Sequence, residues 1–577
     1  MKCKLVNKPI YDNYLEELLR ERGVTDIEAF LHPTKELLAA PELLIESDAG
    51  FQNIKLALDY KYEFEIALVV DCDVDGFTSA AIIYQYLKEL KPELKIIPYI
   101  HEHKQHGLED TWEKISKTNA MLVICPDAAT NDQELIKKLG EYGMNVLILD
   151  HHLKDDTTFF DNDNCVIINN QIAEEYQNKD LTGAGVTWQF CRYCDLRLGT
   201  NYADKYIDLA ALGIVSDMGS YLSLENRYII QEGLAHINNY FFKAACEKQS
   251  YSMGGKINYT SVAFYITPLL NSMIRVGTQP EKERLFQAFV DGHAMVPCHK
   301  RGAKGTMEEV AIESLRECTN TKAKQDKITT AAVEQLGIRI FNDNLLDNKL
   351  LLVELTDEDE FPQEVNGLVA MKLSAKYKHP TLLGRRGPDG KIKGSVRGIN
   401  DGELSSTRDF LLNTGLLDYC SGHDQAFGWG MSAKNISKLL DLTNEQLKDY
   451  NFSESFYDVN FERIAADGDL IKLIEAIGDC PEIYGQNNKE PLIYIKDINI
   501  TKNDIQVIGR NSDTLKFEKF GVTYIKFFAK NMIEQLNQYN NIKLEIVGKA
   551  NINEWGGRIT PQIMIENYEI KDNTFGF

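Results

Sequence analysis

Asp71-Cys72-Asp73-Val74-Asp75-Gly76 sets three carboxylates on alternate residues and closes them with a glycine. Gathering such charges is costly, because each raises the pKa of its neighbours unless a cation offsets them. Three further clusters share this chemistry. Asp127 follows Pro126, Asp150-His151-His152 joins a carboxylate to two imidazoles, and Asp217 follows Ser216. Hard oxygen donors with one or two imidazoles suit Mn2+ or Mg2+ better than a thiolate-rich zinc site. Asp73, Asp75, Asp127, His151 and Asp217 supply enough ligands for two ions with one carboxylate shared. Two ions about 4 Å apart can activate a water and stabilise the entering and leaving oxygens of a phosphoryl transfer.

The elements around these residues place them at strand ends. The apolar, β-branched run at 66–70 reads as a buried strand, and 77–84 has the period and length of a helix. Asp127 follows a strand at 121–125, and Asp150 follows one at 146–149. Asp217 ends a helix-like run at 209–216. Further apolar runs at 94–99 and 166–168, separated by helical stretches, predict a mainly parallel sheet with helices on both faces. In such sheets ligands bind beyond the carboxyl ends of the strands. Gly183-Ala184-Gly185-Val186 opens another helix; its small residues suit close packing, with an anion site at that N-terminus as the alternative.

The composition sets outer bounds. The 577 residues, 44% hydrophobic and 26% charged, suit a soluble protein of several domains. No apolar run approaches the ~18–20 residues of a membrane span. No signal peptide is visible, and eleven cysteines scattered through apolar segments fit reduced thiols, so a cytoplasmic location is expected. Cys191-Arg192-Tyr193-Cys194 has no second pair to complete a zinc site and reads as helix packing. A formal net charge of −23 argues against polyanion binding over the whole surface, so any nucleic-acid site must concentrate its basic groups locally.

We expect a helical lead-in at 1–48, the strand–helix domain at 49–230, a helical connector at 231–335 and a second, smaller α/β domain at 336–445. Linking helices at 446–480 and a β-rich barrel at 481–577 complete the chain. Lys300, Arg301 and Lys304 read as a solvated helix end.

Asp-x-Asp-x-Asp-Gly, a lone Asp, Asp-His-His and a later Asp, in this order, resemble the four motifs of the DHH phosphoesterases. Over nearly its full length the chain looks like the RecJ-type single-strand exonucleases of that superfamily. Arg22-Gly23 and Phe30-Leu31-His32-Pro33 resemble that group's N-terminal segment, and the 181–186 stretch its glycine-rich helix start. Pro268, Asn271 and Arg275 match a Pro-x-x-Asn-x-x-x-Arg segment. Gly394-Ser395-Val396-Arg397-Gly398 and Ser421-Gly422-His423 resemble the two signatures of the associated DHHA1 phosphate-binding domain. Tyr484-Gly485-Gln486-Asn487 and Asn553-Glu554-Trp555-Gly556-Gly557 resemble the OB-fold that follows.

The resemblance implies an α/β fold with a DHH-type parallel sheet, a DHHA1 domain and an OB-fold barrel. It implies Asp73, Asp75, Asp127, His151 and Asp217 as ligands of two Mn2+ or Mg2+ ions, with Asp127 bridging. Asp150 and His152 would orient ligands or touch the scissile phosphate, and Asp71 would stand behind the ligands. Arg275, Ser395, Arg397 and His423 would bind substrate phosphates. Lys516, Lys519, Lys526 and Trp555, with Phe517 and Phe520 nearby, are weaker candidates for contact with single-stranded DNA. Two departures stand out: Val69 occupies the place of a family histidine, and Ser421 that of a glycine. The implied activity is 5′-to-3′ hydrolysis of single-stranded DNA to mononucleotides in recombination and repair. The implied protein is a monomer, with a single-strand-binding protein or a helicase as partner and no membrane. Two alternatives stand beside it: a phosphodiesterase for short oligonucleotides or cyclic dinucleotides, and a noncatalytic single-strand-binding scaffold.

Overall fold

The computed structural model describes residues 1–7, 12–103, 105–400, 402–555 and 558–572. The chain divides into two compact units. One comprises Glu28–Asp326 with Tyr484–Asn488, and the other Met1–Ile27, Lys327–Ile483 and Lys489–Phe577.

The first unit is built on a five-stranded sheet in the spatial order Lys95–Ile100, Glu65–Val70, Leu122–Pro126, Asn145–Asp150, Cys165–Asn169. Every neighbouring pair is parallel. Helices cover both faces, which is why its central strands are uninterrupted apolar runs. Leu68 and Val70 face one core with Phe77, Tyr86, Trp188 and Leu212. Ala67 and Val69 face the other with Val123, Ile136 and Ile148. The chain leaves Glu65–Val70 towards one edge and returns on the other side of that strand as Leu122–Pro126. This reversal opens a crevice beyond the carboxyl ends of the two strands, the place where ligands bind in open α/β sheets.

Helices Ile207–Ser216, Leu224–Ala235, Tyr240–Gln249, Thr267–Val276 and Gln279–Val290 follow, then a small hairpin of Met295–Pro297 with Met307–Glu309. Lys300, Arg301 and Lys304 lie in the turn of this hairpin, not at a helix end as expected. Gly302 and Gly305, with φ of 87° and 93°, take left-handed conformations there that reverse the chain. Cys191 and Cys194 are buried in helix Gly183–Leu198, as packing residues.

Among the described residues the second unit holds two large sheets and one two-stranded sheet. The first has the order Tyr419–His423, Ala426–Ser432, Lys391–Arg397, Thr381–Arg386, Leu351–Leu355 and is antiparallel except for its last pair. The other is a seven-stranded mixed sheet with Phe461–Ile464 at one edge, Gln506–Ile508 at the other, and the long antiparallel pair Asn541–Trp555 with Arg558–Asp572 inside it.

Three expectations need correction. Residues 1–48 are not one helical lead-in: strand Lys2–Leu5 pairs in parallel with Phe456–Val459, and Tyr14 and Leu18 pack in the core of the seven-stranded sheet. Further along, Phe30 lies against the buried Arg227 of the first unit. The 446–480 segment carries strands Phe456–Val459 and Phe461–Ile464 besides helix Asp469–Gly478. The segment around Gly485 belongs to the first unit, where Gln486 O accepts the Tyr221 N–H at 2.9 Å. These pairings join residues hundreds of positions apart, which local periodicity cannot reveal.

Candidate metal centre

Asp73 is the N-cap of helix Val74–Leu90, its Oδ1 accepting the Gly76 N–H at 3.0 Å. The same turn presses Gly76 onto Asp71, where a Cβ would overlap the Asp71 backbone. Asp75 is buried in the helix's first turn and points at the N-terminus of helix Gly183–Leu198. It accepts from Thr182 Oγ1 at 2.9 Å, Gly183 N at 2.8 Å and Ala184 N at 3.1 Å. The anion at that helix N-terminus is therefore the protein's own Asp75. A Cβ at Gly183 would collide with the Asp127 carboxylate, and one at Gly213 with that of Asp75. The small residues bring both helices onto the carboxylates.

Asp127 leaves its strand with φ of 66°, a left-handed turn that aspartate tolerates better than most residues. His151 Nε2 lies 3.2 Å from Asp127 Oδ1 and 3.6 Å from Asp217 Oδ2. Donor atoms of Asp75, His151 and Asp217 lie within 4.8 Å of one another, as do those of Asp127, Asp150, His151 and His152. His151 belongs to both groups. Asp127 Oδ1 is buried without a hydrogen-bond partner.

The electrostatics separate these groups by role. Burial, then Asp75, Asp73, Asp71 and Asp217, holds Asp127 well above the ordinary carboxylate range. Burial followed by Asp75 and Asp73 pushes Asp217 up to about 8. Asp73 is raised by burial, then by Asp71 and Asp75; Asp75 is raised by burial. So many carboxylates this close together do not all ionise unless cations enter. The donor set and the orphaned Asp127 oxygen fit divalent ions. Asp150 is the exception. Burial alone would raise it, but the hydrogen bond and charge of His152 dominate and hold it low. Its oxygens are filled by Thr130 Oγ1 at 2.6 Å, Thr130 N at 3.1 Å, His151 N at 2.7 Å and His152 Nδ1 at 2.8 Å. Asp150 therefore orients the His152 imidazole and holds the backbone of His151. The histidines are driven apart: burial and the charge of His152 push His151 down to about 4, which keeps it neutral. Burial would lower His152 as well, but its bond to Asp150 outweighs burial and lifts it to about 9.

The other expected residues lie elsewhere. Arg397 and His423 both pair with Ala426, and Ser395 and Ser421 both pair with Gly428. Side chains at one register level share a face, so Ser395, Arg397, Ser421 and His423 line one face of that sheet over a floor of Gly428 and Ala426. The Arg397 guanidinium lies against Gly367, where a Cβ would crowd Nη2. Arg275, in the last turn of helix Thr267–Val276, has no carboxylate partner among the described residues. Lys516 pairs with Glu518 at 2.9 Å, Lys519 with Asp504 at 3.1 Å, and Lys526 donates to the Ile565 and Glu566 carbonyls. Phe517 is core, stacked on Tyr524, while Phe520 is exposed. The Trp555 side chain and Gly556-Gly557 lie outside the described residues.

Sequence reasoning missed His101, His106, Thr130 and the exposed Phe527 and Phe528. The density of histidines in His101-Glu102-His103-Lys104-Gln105-His106, at a strand's carboxyl end, was the available signal for the first two. His106 Nδ1 is bonded to Asp71 Oδ2 at 2.8 Å, and this bond, with Cys72, pushes His106 up to about 11.

The DHH family N-terminal domain model matches residues 65–214, and the RecJ OB domain model matches 459–567. A Bacillus subtilis protein of SPbeta prophage origin, YorK, named for a single-strand DNA-specific exonuclease, is 33% identical over 99% of this chain and 98% of its own length. The single-stranded-DNA-specific exonuclease RecJ of Bacillus subtilis is 26% identical over 96% of this chain and 68% of its own. Among solved structures, RecJ of Thermus thermophilus in complex with Mn2+ is similar over 99% of this chain and 80% of its own, with a TM-score of 0.73 at 20% identity. The α/β architecture with a parallel DHH sheet and a C-terminal OB region is thus the fold expected from the motifs. The chain belongs to the RecJ-type single-stranded-DNA-specific exonucleases of the DHH superfamily.

Proposed function

We propose that this protein is a divalent-metal-dependent exonuclease that hydrolyses single-stranded DNA from the 5′ end, releasing mononucleotides in recombination and repair. The observation that carries this reading is the buried, unpartnered Asp127 Oδ1 facing His151, within a set of carboxylates whose charges only cations can offset. The relatives' names and the Mn2+ complex of the Thermus thermophilus protein support it.

Asp73, Asp75, Asp127, His151 and Asp217 would hold two Mn2+ or Mg2+ ions with Asp127 shared. Such ions supply charge neutralisation at the scissile phosphate and an activated water. The remaining roles fall to side chains. Asp150 fixes the His152 imidazole and the His151 backbone; His151 stays neutral, and His152, protonated at neutral pH, meets the negative phosphate. Arg275 in the first unit, and Ser395, Arg397 and His423 in the second, each offer groups for the strand's phosphates in a chain of net charge −23. Lys516, Lys519 and Lys526 add weaker contacts.

The test is digestion of DNA and RNA strands labelled at one end, with Mn2+ or Mg2+. Mononucleotides should appear from the 5′ end of DNA, and Asp127→Ala should abolish them. Intact strands, or equal digestion by wild type and Asp127→Ala, would overturn the reading. Faster turnover of a dinucleotide than of a long strand would favour a short-oligonucleotide phosphodiesterase instead.

A further inference from the structure

The parallel register of the central strands brings a second set of ligand atoms together. Val70 pairs with Ile100, so the next residues, Asp71 and His101, leave the sheet side by side. His101 is 1% exposed. Its Nδ1 is bonded to the Asp110 carboxylate, while its Nε2 has no hydrogen-bond partner and lies 3.8 Å from Asp71 Oδ1. The chain then turns back, and His106 Nδ1 reaches Asp71 Oδ2 at 2.8 Å. Cys72 Sγ lies 3.7 Å from both ring nitrogens of His106. Donor atoms of Asp71, Cys72 and His106 all fall within 4.8 Å of one another.

The two sets are held by different partners. Asp71 is gripped by His106 and the Gly107 N–H, whereas Asp75 is gripped by Thr182, Gly183 and Ala184. Lys282 Nζ pins the backbone between the histidines by donating to the His101 and Glu102 carbonyls at 3.2 and 2.8 Å. An imidazole fixed at Nδ1 by a carboxylate, with Nε2 bare, is the arrangement that orients a histidine for a metal ion. The bare nitrogen is buried and faces a carboxylate.

We propose that Asp71, His101 and His106 hold a further divalent cation behind the acidic turn, of the first-row transition class that prefers imidazole. Two imidazoles and one carboxylate select Mn2+, Co2+ or Zn2+ over Mg2+, which takes oxygen donors and keeps its waters. The ion ties His101 and His106 to the turn that carries Asp73. It also gives Asp71 a role that the absence of histidine at Val69 leaves open.

The test needs no DNA, so its failure is distinct from failure of the nuclease reading. Full-length protein is stripped with a chelator and loaded with Co2+, and bound cobalt is counted after washing with excess Mg2+. His101→Gln and His106→Gln should each bind one Co2+ per chain fewer than wild type. The same loss should appear when His106→Gln is added to Asp127→Asn, in which the other centre is already weakened. An unchanged count in folded His106→Gln protein, in either background, would overturn the proposal. Because His106 is half-exposed, that variant keeps the test open should His101→Gln fail to fold.

Discussion

The crevice of the parallel sheet and the surface of the C-terminal mixed sheet both carry dense charge, and they treat it in opposite ways. In the crevice Asp71, Asp75 and Asp127 are buried beside a partly buried Asp73 and an exposed Asp217; they repel one another, and one Asp127 oxygen has no hydrogen-bond partner. On the mixed sheet the candidate lysines are answered by the chain itself, Lys516 by Glu518 and Lys519 by Asp504. An exposed pair of this kind is worth about 0–1 kcal/mol and asks for no further partner. A buried carboxylate without a counter-charge is several kcal/mol out of balance, by rough estimate, until an ion enters. Burial, more than charge count, separates a metal centre from a solvated face.

The strongest way to break this contrast is Asp127→Asn. If this carboxylate supplies about 4 kcal/mol through bound metal, activity on single strands should fall roughly a thousandfold. A loss below tenfold in steady-state rates would put the centre elsewhere.

Metal should next show itself in stability. Because Asp217 is raised to about 8, and Asp127 is raised too, the metal-free protein is favoured at low pH. It should lose stability as pH rises from the ordinary carboxylate range through about 8. Mn2+ at a hundredfold excess over its Kd should restore about 2.7 kcal/mol. Thermal melts across that pH range, with and without Mn2+, would show no divergence if the crevice binds no ion.

Gly183→Ala tests the close approach of the helix to Asp127. Its methyl group should displace the carboxylate and cost about 10–100-fold in metal affinity, the scale of lost support around a ligand. Wild-type affinity in a Mn2+ titration would mean that the crevice has slack. Arg397→Ala should raise KM for single strands about tenfold or more, since a hydrogen bond to a charged group is worth about 1.5–3 kcal/mol; a kcat effect with KM unchanged would count against phosphate binding there.

The smallest effect belongs to the mixed sheet. Lys516→Ala combined with Lys519→Ala should weaken single-strand binding by no more than about threefold. The slope of log affinity against log salt should change by less than the ~0.7 expected for one lost phosphate contact. A larger change would erase the contrast between the two regions.

Strands and helices announce themselves by local period, and the carboxylates stand at their junctions. The parallel sheet, and the place of Asp127 and Asp150 at the carboxyl ends of its strands, were therefore readable one segment at a time. The division of labour among them was not. Asp150 and Asp127 look alike in the chain, yet one is saturated by Thr130 and the histidines while the other keeps a bare oxygen. That difference rests on partners contributed by separate loops. Similarly, pairing Lys2–Leu5 with Phe456–Val459 needs two strands distant in sequence.

Order, spacing and residue type alone determined that acidic and imidazole groups would gather at the carboxyl edge of a parallel sheet, because strand direction and crossover are set locally. Only the tertiary structure decided which of them stay uncompensated. It also decided that His101 and His106 would meet Asp71, since register and burial arise from contacts between segments that no single stretch of sequence contains.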